Sequence, residues 1–400
     1  MHIPGKSSDI NLEWIKSALV DQQEFRTDKI SGFTAEVIGE GIGFMGEVIK
    51  LVLEYSDDVA SNQGRTTGDD NLNVILKLPT QSSNRGIGEI TGVYEREVRF
   101  YSELQAQLTI RTPTPFQALM DPGDDPEKLL ALLRFINRLP VRVIGWLFWL
   151  GRKLPRAERD YALLLEDMSH LRAGNQVNGC STEDAKIALK SMAVFHAQYW
   201  NNDAIEQIPW VIPLNLSAKI GHAVFQDCLP RYIEANKSSL KPGHLELLDW
   251  LNNNATELIL QYTTLPSTLL HGDFRLDNIF FDDEKKEIVL CDWQTLSHGP
   301  GALDLAYFLS ASMDNNADEV TVTQLIEYYR AQLANHGIQI DRETLEWAYQ
   351  AGMLIILHRV IPAEYQDMLE LVGDRGHQLA ITWIERVLQK LEHVELDEIL

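Results

Sequence analysis

Apolar and polar positions change rhythm once along this chain, from a β-rich first part to a helical second part. Phe33-Thr34-Ala35-Glu36-Val37-Ile38 and Val48-Ile49-Lys50-Leu51-Val52-Leu53 flank a glycine cluster, and two apolar strands around glycines predict a hairpin. A polar loop over 56–71 leads to a short strand, Leu72 to Leu78, and then to an amphipathic helix near Gly92 to Leu108. Another apolar strand, Tyr161-Ala162-Leu163-Leu164-Leu165, runs into Glu166-Asp167-Met168. Helical periodicity dominates from there. Ser181, with Asp184 three places on, has the form of a helix start and predicts a helix through Trp200. Further helices are expected over 244–262, 320–335, 342–358 and 376–394. A small hairpin, Ile279-Phe280-Phe281 and Ile288-Val289-Leu290-Cys291, interrupts them. The pattern predicts an α+β fold in two lobes with a cleft between them. A small β-rich N-lobe covers 1–165, a hinge 166–170, and a larger, mainly helical C-lobe 171–400.

Length agrees with more than one core, since 400 residues fit two or three core units. The balance of 35 Lys and Arg against 58 Asp and Glu gives a net charge of −23, which argues against nucleic acid as a partner. Cys180, Cys228 and Cys291 are odd in number and far apart, with neither a metal-ligand spacing nor a disulfide framework. The first residues, Met1-His2-Ile3-Pro4-Gly5-Lys6, lack the apolar stretch of a signal peptide, and no apolar run is long enough to span a bilayer. A reducing, cytoplasmic location is the expectation.

Candidate chemistry concentrates in His271-Gly272-Asp273-Phe274-Arg275-Leu276-Asp277-Asn278, followed after the small hairpin by Asp292-Trp293-Gln294. Phosphoryl transfer needs an Asp to accept a hydroxyl proton, and Asn and Asp oxygens to hold Mg²⁺ against the ATP phosphates. The spacing puts Asp273 and Asn278 on one tight turn, with Asp292 returning on the far strand. The plain alternative is a polar turn between apolar strands. Upstream, Gly39-Glu40-Gly41-Ile42-Gly43-Phe44-Met45-Gly46 could let backbone N–H groups approach phosphates. A β-branched segment follows, so a phosphate-covering hairpin fits better than a dinucleotide fingerprint, which needs a helix there. Lys77, inside the apolar strand Val74-Ile75-Leu76-Lys77-Leu78, needs a matching charge if buried. Glu97 is the candidate partner, Glu95 the competing one, and an edge-strand Lys reaching solvent the plain alternative.

The order of these elements resembles the kinase signature set. His-Gly-Asp paired with Asp-Trp-Gln resembles the aminoglycoside phosphotransferase and choline kinase superfamily, with its two-lobed protein-kinase-like fold. Within it the chain looks most like the ecdysteroid-kinase-like branch. Glu97-Val98-Arg99-Phe100-Tyr101, Leu165-Glu166-Asp167-Met168, Phe195-His196-Ala197-Gln198-Tyr199-Trp200 and Asp304-Leu305-Ala306-Tyr307-Phe308-Leu309 add to the likeness. The resemblance implies an ATP-dependent small-molecule kinase that phosphorylates a hydroxyl. Asp273 would be the base, braced by His271, with Mg²⁺ on Asn278 and Asp292. Gly41, Gly43 and Gly46 would cover the phosphates, Lys77 would hold them and be held by Glu97, and backbone groups at Glu166 and Met168 would bind adenine. Asp304 would fix the loop, and His196 reads as a core histidine. The 12 positions from Asp292 to Asp304 leave no room for a long activation segment, which separates the chain from protein kinases.

One segment, 127–160, reverses the local charge. Eight Lys and Arg face three acids, a net of +5, around Gly145-Trp146-Leu147-Phe148-Trp149-Leu150. It reads either as a lid or weak membrane contact through 139–153, or as a helical hairpin packed on the N-lobe. The partner expected of the protein is a small-molecule alcohol. Net acidity points to a cationic acceptor and the Trp-rich segment to a lipophilic one. The alternative function is a nucleotide-binding pseudokinase acting as an interaction module.

Overall fold

The computed structural model describes residues 1–38, 46–56, 73–82, 85–123, 125–151, 158–313, 318–365 and 373–400. The expected polar loop lies almost wholly outside them, as do Gly41 and Gly43. Helix α1 (Leu12–Ala18), capped by the Asn11 side chain, packs Trp14, Ile15 and Ala18 on a five-stranded antiparallel sheet. Its strands are β1 (Ile30–Ile38), β2 (Gly46–Tyr55), β3 (Asn73–Pro79), β4 (Pro115–Met120) and β5 (Tyr161–Glu166), in the order β1-β2-β3-β5-β4. Ile49, Leu51, Leu53, Val74, Leu76 and Leu164 point to one face and make a core of their own. That alternation leaves Lys50, Ile75 and Lys77 on the other face, the period-2 logic of a sheet with two different environments.

The expected Gly92–Leu108 helix starts where expected but is α-helical only through Arg99, and an unexpected short helix precedes it. Helices α2 (Arg85–Thr91) and α3 (Val93–Arg99) meet at Gly92, whose positive φ of 68° breaks the register. A wider π turn, Phe100–Leu104, and a 3-10 turn then close the segment.

Between β4 and β5 lie α4 (Pro126–Ile136) and α5 (Val141–Gly151). They form a helical hairpin, but it does not rest on the N-lobe as expected. It packs on the C-lobe helix α7 (Leu214–Asn236): Asn137 Nδ2 donates to Asn215 O at 3.4 Å, Lys219 Nζ to Leu139 O at 3.3 Å, and Gly145 faces Ala223. Ile144 is its one fully buried apolar side chain, whereas Trp146 and Trp149 are 60% and 54% exposed.

The C-lobe adds β6 (Arg172–Ala173), α6 (Thr182–Gln198), α7, α8 (Pro242–Tyr262), β7 (Thr268–Leu270), β8 (Ile279–Asp282), β9 (Glu287–Leu290) and β10 (Ser297–Gly299). Helices α9 (Ala302–Ser312), α10 (Glu319–Asn335), α11 (Arg342–Tyr365) and α12 (Gly373–Leu391) complete it. One large core runs through these helices and is separate from that of the sheet. The fold is therefore two-lobed and kinase-like. Helices α7 and α9 were not expected from the pattern. Pro230 sits inside α7, and every residue of α9 is buried, so no polar face marks its period.

Where α7 meets α11, His222 and His358 stack with ring centroids 5.4 Å apart, and His222 Nδ1 lies 3.2 Å from His358 Nε2. Burial pushes both imidazoles down, His358 to about 3 from 6.5. The unfolded chain then takes up a proton that the folded one refuses, so stability is full above pH 6.5 and falls as pH drops toward the folded value. For His358 alone the loss between pH 7 and pH 5 is about 2 kcal/mol. Urea unfolding at the two pH values should show a smaller drop for His358→Gln than for the wild type. An identical drop would assign the pH dependence elsewhere.

Candidate functional site

The cleft between the lobes is lined by β3, α3, the turn after β7 and the segment after β9. Lys77, on the polar side of β3, reaches Glu97 of α3 at 2.6 Å and Asp292 at 3.1 Å. Glu95, the competing partner, is instead held by Arg99 at 2.9 Å and Arg159 at 2.8 Å. Burial alone would lower the Lys77 pKa, but Asp292 and Glu97 outweigh it and raise it. Burial raises that of Glu97 despite Lys77. Asp292 stays below the usual carboxylate range in spite of burial, because Lys77 and then Arg275 oppose it. The three groups therefore hold an ammonium between two carboxylates of unequal acidity. Gln294 Nε2 adds a contact to the other Glu97 oxygen at 3.3 Å.

The turn after β7 is built on a buried carboxylate. Asp304, fully buried at the start of α9, accepts from His271 N at 2.7 Å and Gly272 N at 2.9 Å. His196, also fully buried, approaches it at 3.3 Å and Tyr329 at 2.7 Å. Burial would raise the Asp304 pKa, yet the His196 contact and the backbone donors lower it. Gly272 has φ 78°, and a Cβ there would sit 2.5 Å from Thr295 O, so only glycine fits. His271 spans to Cys291 O at 2.9 Å and to Asp273 N at 3.3 Å, which couples the turn after β7 to the segment after β9.

Asp273 is bonded through both of its oxygens. Oδ2 accepts from Arg275 Nε at 3.1 Å and Asn278 Nδ2 at 2.8 Å, while Oδ1 accepts from the Tyr307 hydroxyl. A carboxylate oxygen has two lone-pair sites, so Oδ1 keeps room for one more donor. Asn278 spends its amide nitrogen on Asp273, which leaves its amide oxygen, together with the Asp292 carboxylate, as candidate hard oxygen donors. Two such donors suit a Mg²⁺ ion that keeps its other positions for phosphate and water. Among the described residues no cluster of three or more His, Cys, Asp or Glu could hold a metal by itself.

In the segment expected to be a hinge, Glu166 N donates to Thr114 O at 2.9 Å, and the Glu166 carboxylate accepts from Thr114 Oγ1 at 2.8 Å. Both ties face β4, not the cleft. The Met168 carbonyl is taken by Leu171 N at 2.9 Å. Gly46 opens β2, where a Cβ would meet Leu78 O at 3.3 Å.

Sequence reasoning assigned no role to Tyr307, Arg275 or Trp293. Trp293 is fully buried, stacks on Phe100 at 4.1 Å and 10°, and meets Phe195 and His271 edge-on, joining α3's continuation to the C-lobe. Tyr307 lies three residues after Asp304, one helical turn along α9, and that spacing was the available signal.

Comparison with known proteins places the chain. It is 32% identical over 132 residues to acyl-CoA dehydrogenase family member 10 of Mus musculus, which covers 28% of this chain and 12% of that protein. It is 38% identical over 72 residues to the probable acyl-CoA dehydrogenase IBR3 of Arabidopsis thaliana, covering 18% and 8%. The chain thus spans a small part of these curated relatives. A IIIa-type aminoglycoside phosphotransferase mutant, solved with GDP, matches 96% of both chains with a TM-score of 0.50 at 14% identity, a likeness of fold. Over residues 40–341, more than half its length, the chain matches the ecdysteroid kinase-like family, and to that family it belongs.

Proposed function

We propose that the protein is an ATP-dependent kinase that transfers the γ-phosphate to a hydroxyl of a small molecule. The observation that carries the reading is the convergence of Lys77, Glu97, Asp273, Asn278 and Asp292 around one cleft. Family membership supports phosphotransferase activity in general. In this reading the acceptor hydroxyl bonds to Asp273 Oδ1 and gives up its proton there as the phosphoryl group arrives. Tyr307, Arg275 and Asn278 hold the carboxylate in place, so it does not reorient during the step. Lys77 moves from sharing two carboxylates to sharing Glu97 and the nucleotide phosphates. Adenine would meet the Glu166 carbonyl and the Met168 N–H, with Gly41, Gly43 and Gly46 over the phosphates. Asn278 and Asp292 would hold Mg²⁺, which neutralises charge on the transferring phosphates.

The test is ADP release from Mg·ATP across hydroxylated compounds of cationic, neutral and anionic character. Acceptor-dependent release is the expected result. Nucleotide binding without turnover on any of them favours a pseudokinase, and no binding sinks the reading. Lys77→Ala should weaken Mg·ATP binding by about 10- to 100-fold, the value of a charge-assisted contact of roughly 1.5–3 kcal/mol. An affinity unchanged by that substitution would remove Lys77 from the phosphate site.

The α4–α5 hairpin supports weak peripheral contact with anionic membranes as a second property. Exposed Leu132, Phe135, Trp146 and Trp149 lie among exposed Arg134, Arg138 and Arg142. No helix among the described residues is long and apolar enough to cross a membrane. Sedimentation with phosphatidylserine vesicles should fall when Trp146→Ser and Trp149→Ser are combined, and equal recovery of both proteins would refute the contact.

A further inference from the structure

Two half-buried arginines each keep an inaccessible N–H without a hydrogen-bond partner among the described residues. Arg96 of α3 donates through Nη1 to Gln294 O at 2.5 Å and through Nη2 to Thr91 O at 3.0 Å, both neutral carbonyls. Its Nε is buried with no hydrogen-bond partner among the described residues, and so is Nη1 of Arg359 on α11. No ion pair joins either guanidinium to a carboxylate among the described residues. Glu95, the acid nearest to Arg96 in the sequence, is engaged by Arg99 and Arg159. The two arginines feel each other: burial and then the Arg359 charge push Arg96 down to about 10. Arg359 also acts on Tyr307, whose hydroxyl donates to Asp273.

Two like charges held together with unspent, water-shielded N–H groups are costly unless an anion joins them. Glu95 offsets part of the charge on Arg96, but its carboxylate is bonded to Arg99 and Arg159, and that of Asp273 is bonded to Arg275, Asn278 and Tyr307. A guanidinium fork fits the planar oxygens of carboxylate or phosphate. Arg96 reaches the Asp292-Trp293-Gln294 turn through Gln294 O, and α11, which carries Arg359, packs on α9, which carries Tyr307, so an anion held by both would lie near an acceptor hydroxyl on Asp273.

Building on the kinase reading above, we propose that Arg96 and Arg359 form an anion subsite for the acceptor, and that the acceptor is a hydroxylated acid or phosphate ester. The cationic and neutral classes suggested by net acidity and by the Trp-rich hairpin are thereby set aside. Arg359, which comes from the helical lobe, is the specificity-determining member. Arg96 is tied to the Asp292-Trp293-Gln294 turn and would report anion binding to the metal-side carboxylate.

Calorimetric titration of the full chain, loaded with Mg·AMP-PNP, tests this directly. The probes are hydroxyalkanoates with two to six carbons between hydroxyl and carboxylate, their methyl esters, and the matching phosphate monoesters. An anion should bind at least about tenfold tighter than its ester, the value of one charge-assisted contact. Arg359→Gln should erase that preference and Arg359→Lys restore part of it, with all three proteins unfolding at similar urea midpoints. Carboxylate against phosphate preference identifies the anion. Equal binding of acid and ester at every length overturns the subsite, as does a preference that survives Arg359→Gln. A tenfold loss of AMP-PNP affinity in Arg359→Gln also overturns it, because the arginine would then serve the nucleotide. The kinase reading is judged separately by ADP release with the tightest-binding anion. Selective binding without turnover would sink that reading and leave the subsite standing.

Discussion

Asp273→Asn will lower acceptor-dependent ADP release by about 10²- to 10⁴-fold, the range that a positioned general base contributes. The substitution is nearly isosteric, so Arg275, Asn278 and Tyr307 keep a neighbour of the same size at the same place. An amide cannot take the acceptor's proton. Its nitrogen also opposes the donor groups of Arg275 and Asn278 if it points their way, so the amide oxygen will turn toward them and its NH₂ toward Tyr307. Mg·ATP affinity should stay within about twofold, because the nucleotide phosphates lie with Lys77 and Asp292. Single-turnover rates measured beside nucleotide titrations separate the two effects. A variant that keeps a tenth or more of the wild-type rate would show that Asp273 positions the hydroxyl without accepting its proton.

Asp304→Ala carries the second large effect, on stability and activity together. The substitution leaves the N–H groups of His271 and Gly272 facing a fully buried space with no acceptor. Each unsatisfied donor costs about 1–3 kcal/mol. Relief from burying a carboxylate offsets part of this, and a net loss of about 3 kcal/mol is expected. Gly272 holds its positive φ through that acceptor, so the turn should relax and move Asp273 off its partners. Urea unfolding and ADP release should therefore fall together in Asp304→Ala. Asp304→Asn keeps one acceptor oxygen and should recover part of both. A stability change under about 1 kcal/mol for the alanine variant would mean that the turn is held by its other contacts, Thr295 to His271 O among them.

The parts of the site that could be read from sequence are those whose chemistry and spacing are local. Asp273 and Asn278 lie five positions apart on one turn, and Asp292 follows after a hairpin whose apolar strands announce themselves. Lys77 stood out because a charge in an apolar strand demands an explanation. Arg359 had no such mark. It sits in a helix more than 80 residues beyond Asp273, and only packing of α11 against α9 lets its charge act on Tyr307. The same limit applies to the fold. Amphipathic helices such as α6 and α10 show their period, whereas α9 is buried all round and shows none. The hairpin's composition revealed a pair of apolar, basic segments. The surface they would choose depended on the small residues Gly145 and Ala223 coming face to face.

That choice of surface has a mechanical consequence. A kinase-like molecule whose lobes meet only at a hinge segment can rock, twist and slide about that one point. Here the excursion between β4 and β5 leaves the small lobe and fastens to α7 of the large one, held by Ile144, Asn137 and Lys219. The Phe100–Trp293 stack and the Arg111–Asp282 ion pair fasten the lobes at other points again. Like a plate bolted at several corners, the small lobe strains every other fastening when it turns about any one of them.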